Sequence, residues 1–193
     1  MMGAMTETAF PVGSGPLTVR DLGGMPDDGR RYELIDGVLI VSPAPGTRHQ
    51  AIVYRLFAVL DAACPAGFGA IGAPYAVHHG DYIELQPDVL VGRLADFTAK
   101  DLPHPPVLAV EVLSPSTAII DLNTKKAVYE RLGVVSYWVI DPLELELTVF
   151  ELHDGRYTEV ARVAGAEPFE AVQPYPVRIV LTDLLGPFGH AAS

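Results

Sequence analysis

Residues 107–113, Val-Leu-Ala-Val-Glu-Val-Leu, constrain the fold of this chain more than any other segment. Apart from Glu111, the run is apolar at both alternating positions. A strand that is apolar on both sides is typical of the centre of a sheet that is covered on both faces. The run therefore predicts a central strand that carries one carboxylate in a place that water does not easily reach.

The carboxylate of Glu111 needs a partner in such a place. A buried charge must be paired, protonated or bound to a metal ion, because an unpaired buried carboxylate costs several kcal/mol. We therefore interpret Glu111 as a candidate functional residue. The alternative is that Glu111 lies at a strand end, where it reaches solvent or a structural arginine.

Strand and helix patterns on both sides of this run predict an α/β fold. Asp36 and Gly37 form a hairpin dipeptide between two strand-like segments, and apolar residues at helical spacing after His49 predict an amphipathic helix. A second helix runs from near Asp121 to Gly133. Further strand patterns lie at residues 74–79, 82–92, 107–113, 137–141, 147–152, 156–163 and 177–181. We expect a mixed central sheet flanked by helices, with a β-rich C-terminal half.

Composition excludes several classes of protein. The 193 residues include 24 Asp and Glu against 13 Lys and Arg, a formal charge of −11, which is acidic for a nucleic-acid partner. The longest apolar runs are strand-sized, well short of the ~20 residues that span a bilayer. The single Cys64 provides neither a disulfide framework nor a cysteine-based zinc site. We expect a cytoplasmic protein with a flexible tail over residues 1–16 and a single domain over residues 17–193.

Asp88 is a second candidate, because it follows Pro87 inside a strand-like stretch. Proline interrupts the hydrogen-bond ladder of a sheet, so it indicates an edge, a bulge or a strand start. An aspartate after that break can point its oxygens toward a neighbouring strand, and the next predicted strand carries Glu111. The alternative is an aspartate that only forms a turn.

Lys125 is a third candidate, on the second predicted helix. At 100° per residue it falls within the apolar stripe that includes Leu122 and Tyr129, whereas Lys126 falls outside that stripe. A lysine on the core-facing side of a short helix is unusual, and Asp121 lies one turn earlier, where it can pair with Lys125. The alternative is a pair that serves structure alone, with the lysine stem reaching out to solvent.

Two carboxylates on adjacent strands, with an ammonium from the following helix, are typical of phosphodiester cleavage. Two carboxylates and a backbone carbonyl suit a hard divalent cation such as Mg²⁺, or Mn²⁺ in its place. Such an ion lowers the pKa of a bound water and neutralises charge at phosphorus, while a nearby lysine orients the water or stabilises the transition state.

Five strings of the sequence also carry a resemblance to a known family: RYELIDG at residues 31–37, Pro87 with Asp88, EVLSPST at 111–117, DLNTK at 121–125 and YWVIDP at 137–142. In combination they resemble the Uma family of restriction endonucleases, in the PD-(D/E)xK nuclease superfamily. The likeness covers roughly residues 15 to 183. It implies a restriction-endonuclease-like fold and a Mg²⁺-dependent DNA endonuclease.

The resemblance also implies roles for individual residues. Asp88 and Glu111 would be Mg²⁺ or Mn²⁺ ligands, joined by the carbonyl of Val112. Lys125 would be the catalytic lysine. Glu33 matches an acidic residue that the superfamily often places near its first core element, where it touches the metal or a water.

One position departs from the superfamily pattern. Two residues after Glu111, where a lysine usually stands, this chain has Leu113. The helix-face argument and the resemblance both indicate Lys125 as a replacement that has moved to the helix. His49 opens the first long helix, as a histidine commonly does in this family, and capping that helix is one role open to it.

The leading hypothesis is a DNA endonuclease that hydrolyses phosphodiester bonds through a metal-activated water. The alternatives are a catalytically silent DNA-binding or scaffold module with a nuclease-like fold, and a metal-dependent hydrolase of smaller phosphoesters. Acidity favours these alternatives, because non-specific DNA affinity comes largely from Lys and Arg. We expect weak DNA binding without metal, no membrane partner, and a homodimer, since cutting both strands needs two sites.

Overall fold

The computed structural model of the protein describes residues 15–115 and 117–190. Most of the predicted tail, residues 1–14, lies outside this part, and so does Ser116 of the EVLSPST string. The helices are α1 (Val19–Leu22), α2 (Thr47–Ala63), α3 (Lys126–Leu132) and α4 (Leu181–Leu185). The strands are β1 (Arg31–Ile35), β2 (Val38–Ser42), β3 (Phe68–Gly72), β4 (Ala76–His79), β5 (Ile83–Leu85), β6 (Val89–Arg93), β7 (Asp101–Leu102), β8 (Leu108–Val112), β9 (Ser136–Asp141), β10 (Glu146–His153), β11 (Arg156–Ala164), β12 (Pro168–Ala171) and β13 (Val177–Val180).

The strand that carries Glu111 lies inside the larger of two main sheets. That sheet has six strands in the order β11-β10-β9-β8-β6-β3. Strand β8 is parallel to β9 and antiparallel to β6, and all five of its residues are buried. The predicted central strand and the predicted mixed sheet are thus confirmed.

Helix α2 covers one face of this sheet. Its residues Ile52, Leu56 and Leu60 are fully buried at helical spacing, as the pattern after His49 predicts. They share a core with strand residues of the same face, such as Val110. None of the helices in residues 15–115 and 117–190 is both long enough and apolar enough to cross a membrane.

The opposite face of the sheet meets α3 and a second sheet. Ala109 and Leu113 pack there with Tyr129 of α3 and with Ile35 of β1. Because side chains alternate along a strand, Glu111 points to this same face. The second sheet has five strands in the order β2-β1-β5-β4-β7, and a separate hairpin joins β12 to β13. Glu111 therefore lies between two sheets and a helix.

The chain passes from one main sheet to the other at Asp88. The sequence reads residues 82–92 as one strand-like stretch, but the structure divides it into β5 and β6, which belong to different sheets. Pro87 lies in the break and β6 begins directly after Asp88, so the predicted strand start is confirmed. This crossing places Asp88 at the junction of the two sheets.

The helix after Glu111 differs from the regular helix that the sequence predicts. It covers residues 118–132, so it begins three residues before Asp121, and a π-helical turn forms its segment Ile120–Lys125. The assumed 100° per residue does not hold in that turn. The helix ends at Gly133, whose φ of +81° gives the predicted left-handed cap. π-Helical turns occur frequently at functional sites.

Three strands are absent from the sequence prediction: β3, β12 and the two-residue β7. β3 contains Gly69 and Gly72, which lack the side chains that give a strand its apolar pattern, and β12 is only four residues long. β3 and β12 pair antiparallel with strands that the sequence does predict, β6 and β13, and β7 pairs parallel with the predicted β4. Their hydrogen-bond partners are distant in the chain or across a turn, so no local pattern marks them.

Glu130 joins α3 to the hairpin of β10 and β11. Its Oε2 accepts a hydrogen bond of 2.6 Å from the backbone N–H of Tyr157, and its Oε1 accepts one of 3.0 Å from Arg156. We predict that Glu130→Ala lowers the free energy of unfolding by about 1 kcal/mol, because the Tyr157 amide loses its partner. Urea denaturation measures this, with the exposed Glu144→Ala as control, expected within about 0.5 kcal/mol of wild type.

The Glu130 contribution has a defined pH dependence. The Tyr157 amide lowers the pKa of Glu130 from its ordinary 4.5, so the carboxylate stabilises the fold above that pH. The difference in free energy of unfolding between wild type and Glu130→Ala should shrink as the pH falls from 4.5 through the lowered pKa, because the carboxylate is then protonated. A difference that stays constant down to pH values where wild type is still folded contradicts the assignment.

Candidate active site

The structure brings the four predicted side chains together. Asp88, Glu111 and Lys125 line one cavity of about 230 Å³, and Glu33 lies directly behind Lys125. The exposed fractions are 0% for Glu33, 2% for Asp88, 1% for Glu111 and 3% for Lys125. The residues come from β1, the β5–β6 junction, β8 and the π-helical turn, so the site forms where the two sheets and the helix meet.

Glu111 is held by two donors from the helix. Its Oε1 accepts hydrogen bonds from Lys125 Nζ at 3.1 Å and from the Tyr129 hydroxyl at 2.9 Å. Burial raises the pKa of Glu111 well above its ordinary value, and the Lys125 ammonium opposes that rise. With 1% of its surface exposed, Glu111 does not reach solvent at a strand end.

Lys125 is surrounded by carboxylates. Its Nζ lies 2.9 Å from Glu33 Oε2, 3.1 Å from Glu111 Oε1 and 3.5 Å from Asp121 Oδ1. Burial lowers the pKa of Lys125, but the three carboxylates outweigh burial and raise it above its ordinary value. The lysine is therefore an ammonium, and its stem does not reach out to solvent.

Lys126 lies outside this cluster. Its Nζ stands 3.6 Å from the centre of the Phe150 ring in β10. The orientation of the two lysines is thus the one that the helix-face argument predicts. The same argument is wrong for Leu122, which is 41% exposed, because the π-helical turn changes the angle between successive residues.

Asp88 is held from three directions. Its Oδ1 accepts a hydrogen bond of 2.8 Å from Arg31 Nη2, and its Oδ2 accepts one of 2.8 Å from the backbone N–H of Val112. His49 Nε2 lies 3.1 Å from the same Oδ2. Burial would raise the pKa of Asp88, but His49, Arg31 and the Val112 amide together lower it to about 2. Asp88 is therefore ionised.

His49 does not cap its helix. Gly46 occupies the N-cap of α2, and His49 lies inside the first turn with its ring buried against Asp88. Helix capping is thus the wrong role for His49. The ring of His49 instead contacts the carboxylate of Asp88, 39 residues further along the chain.

Glu33 contacts Lys125 and the backbone rather than the cavity. Its Oε1 accepts a hydrogen bond of 2.8 Å from the N–H of Gln86, and its Oε2 faces the lysine. The cavity is lined by Lys125 in front of it. From this position Glu33 can hold Lys125 in place, whereas a direct contact with a metal or a water is less favoured.

Sequence reasoning missed two partners of the site. Arg31, identified only as the first residue of the RYELIDG string, pairs with Asp88, and Tyr129, identified only as an apolar stripe residue, donates to Glu111. One signal was available for Arg31: it stands two positions before Glu33 in β1, and residues so spaced share a face of a strand. No local signal gives the partner of the Tyr129 hydroxyl.

The residues around the cavity fit a divalent cation that keeps much of its water. Within residues 15–115 and 117–190, no three His, Cys, Asp or Glu side chains form a ready-made metal cluster. The oxygens available are those of Asp88, Glu111 and the Val112 carbonyl, whose residues line the same cavity. Both hydrogen bonds that the described residues give to Glu111 fall on Oε1 and leave Oε2 for another partner. Mg²⁺ commonly binds through one or two carboxylates and several waters.

We predict that Lys125→Met lowers the free energy of unfolding by about 3 kcal/mol or more, because it leaves three buried carboxylates without their cation. Lys126→Met is the matched control, and the loss of its single cation–π contact with Phe150 should cost about 1 kcal/mol or less. Urea denaturation of both variants measures the difference. Equal stability of the two variants contradicts the view that Lys125 holds the cluster together.

A solved structure resembles this one over most of its length. It is described as a "putative nuclease belonging to DUF820" from Anabaena variabilis, and it is 21% identical with a TM-score of 0.67. The match covers 88% of this chain and 97% of that one. It confirms the predicted α/β fold with its mixed sheet, flanking helices and β-rich C-terminal half.

Comparison with curated proteins gives no match. The model of the Uma2 family, described as "Putative restriction endonuclease", matches residues 20–182. The matched segment includes every residue of the candidate site and spans most of the chain. Given the fold, the site and this match, the chain belongs to the Uma2 family.

Proposed function

We propose that the protein is a divalent-metal-dependent endonuclease that hydrolyses phosphodiester bonds in DNA. Membership of a family of restriction endonucleases supports nuclease activity in general. The observation that carries the finer proposal is the meeting of Asp88, Glu111 and Lys125 at one cavity, from three separate parts of the chain.

Asp88, Glu111 and the carbonyl of Val112 would hold Mg²⁺ or Mn²⁺. Bound there, the ion would supply an activated water and counter the charge that develops at phosphorus. Arg31 and His49 orient the Asp88 carboxylate by their contacts of 2.8 and 3.1 Å. A ligand that is held in place before the reaction does not lose conformational freedom during it.

Lys125 acts in this proposal as a hydrogen-bond donor. With three carboxylates within 3.5 Å it is held as an ammonium, so it cannot accept a proton from water. Its positive charge can stabilise the phosphate oxygens as negative charge builds on them, or fix the attacking water by donating to it. Glu33 and Asp121 are positioning residues, because they act through Lys125.

The remaining parts of the proposal concern partners and location. DNA binding is weak without metal, because the chain carries a net charge of −11 and counterion release contributes little. The protein acts as a homodimer, so that two cavities address the two strands of a duplex. A reducing cytoplasm suits the free thiol of Cys64.

Cleavage of supercoiled plasmid tests this function. With Mg²⁺ or Mn²⁺ present, we expect wild type to nick or linearise the plasmid, and Asp88→Asn, Glu111→Gln and Lys125→Met each to lose at least about 100-fold in rate. Lys126→Met should stay close to wild type, and a chelator should abolish cleavage. Circular dichroism at the assay temperature ensures that each variant is folded.

Two outcomes would contradict the proposal. Cleavage that persists in the chelator excludes the role given to the metal, and cleavage that survives in Asp88→Asn and Glu111→Gln excludes the role given to these carboxylates. The catalytically silent module remains the competing function, because Asp88 and Glu111 already have partners within the protein. That function predicts DNA binding without cleavage at any metal concentration.

A further inference from the structure

A second cavity, of about 480 Å³, opens beside the candidate active site. It lies between the segment that joins α1 to β1, the start of α2 and the β3–β4 connection. Arg31, Pro43, Pro45 and Asp88 line this cavity and also the smaller one of about 230 Å³. The two cavities therefore share a wall, and we call the larger one the proline cleft.

The lining of the proline cleft suits a flat group that forms hydrogen bonds. Its apolar lining combines four prolines and Tyr32 with aliphatic side chains such as Leu22 and Val53. The amides of Gln50 and Gln86 line the same space, and Gln86 Nε2 already donates to the Tyr32 carbonyl at 3.4 Å. An amide side chain can both donate and accept, so two amides can meet the mixed edge of a planar heterocycle. The cleft has ample room for one such ring.

The charges of the proline cleft do not favour a phosphate inside it. Three carboxylates and two guanidinium groups line it, Asp27, Glu84, Asp88, Arg30 and Arg31. Arg30 is paired with Asp28, Arg31 with Asp88, and His78 with Glu84. With its positive groups already paired, the cleft favours an uncharged ligand that forms hydrogen bonds.

The charge of the whole chain points the same way. At −11, the protein has few cations to spare for the phosphates of DNA, which normally supply most of the non-specific affinity. Contact with the faces of unpaired bases is a second source of affinity for nucleic acid, which adds to whatever the positive charges contribute.

We propose that the proline cleft binds one unpaired base of a DNA strand, next to the phosphate that the candidate active site addresses. This proposal rests on the proposed function. Arg31 stands at the boundary of the two cavities, bonded to Asp88 and to the carbonyl of Gln86, with 21% of its side chain exposed. Because its guanidinium is already paired, Arg31 marks the boundary between the bound base and the candidate active site and is not counted as a phosphate contact.

The proposal identifies the preferred substrate as DNA with unpaired nucleotides. A base in a duplex enters a cleft only after leaving its stack and its partner, and this step costs free energy that a single strand does not pay. Single-stranded, frayed or locally melted DNA should therefore bind more tightly than a fully paired duplex of the same sequence.

Fluorescence anisotropy with a labelled 12-nucleotide single strand and the matching duplex, both with Ca²⁺ in place of Mg²⁺, tests the proposal. We expect wild type to bind the single strand at least fivefold more tightly than the duplex. The dissociation constant should change little with salt, as expected for about two phosphate contacts or fewer. Binding of the duplex as tightly as the single strand, or no binding of the single strand, overturns the proposal.

Variants on two elements locate the binding. Gln50→Trp on α2 fills the cleft and Gln86→Leu removes an amide while keeping the backbone N–H, so each should weaken single-strand binding at least tenfold. Tyr54→Trp is the matched control, because Tyr54 lies on α2 outside the cleft with 66% of its surface exposed. Its affinity should stay within twofold of wild type. Unchanged affinity in both folded cleft variants overturns the proposal.

The same variants separate this proposal from the proposed function. Neither substitution touches Asp88 or Glu111, so calorimetry should give unchanged Mn²⁺ binding by Gln50→Trp. If wild type cleaves plasmid but the cleft variants bind the single strand normally, the cleft proposal fails and the nuclease function stands. If the variants lose single-strand binding while wild type cleaves no DNA, the cleft proposal stands and the nuclease function fails.

Discussion

The buried contact between Lys125 and its carboxylates is the interaction on which the site depends. Glu111 comes from the centre of the larger sheet, Glu33 from the smaller sheet and Asp121 from the π-helical turn, and all three lie within 3.5 Å of one ammonium. Removing the cation would leave three buried carboxylates without their positive partner, at a cost of several kcal/mol. One side chain thus joins two sheets and a helix at the point where the chemistry is proposed.

A second group of contacts acts on Asp88 in the same way. Arg31, His49 and the amide of Val112 hold its oxygens before any ligand arrives, and they keep it ionised against the effect of burial. The two carboxylates therefore reach the cavity in different electrostatic surroundings. Asp88 is held by a cation and by hydrogen-bond donors, whereas Glu111 shares the Lys125 ammonium with Glu33 and Asp121. A bound divalent ion would balance the excess of negative charge around Glu111.

Sequence alone predicts the parts of the site that conflict with their local pattern. Glu111 interrupts an apolar strand, Asp88 follows a proline in a strand-like stretch, and Lys125 lies on the apolar side of a helix. The partners of these residues do not conflict with their local pattern, because the contacts of Arg31 and His49 with Asp88 join distant parts of the chain; only the spacing of Arg31 to Glu33 on β1 gives a hint. For the same reason the passage of residues 82–92 between two sheets was not predicted, and β3 was missed because its glycines leave little pattern.

The central claim is that Asp88 and Glu111 share one divalent cation in the cavity that Lys125 lines. Anomalous diffraction from a crystal of the protein grown with Mn²⁺ tests it most directly, because Mn²⁺ scatters anomalously far more strongly than the light atoms of the protein. We expect a single strong peak between the two carboxylates, in contact with the carbonyl of Val112, and no such peak in Asp88→Asn. A Mn²⁺ peak elsewhere, or an unchanged peak in Asp88→Asn, would contradict the claim.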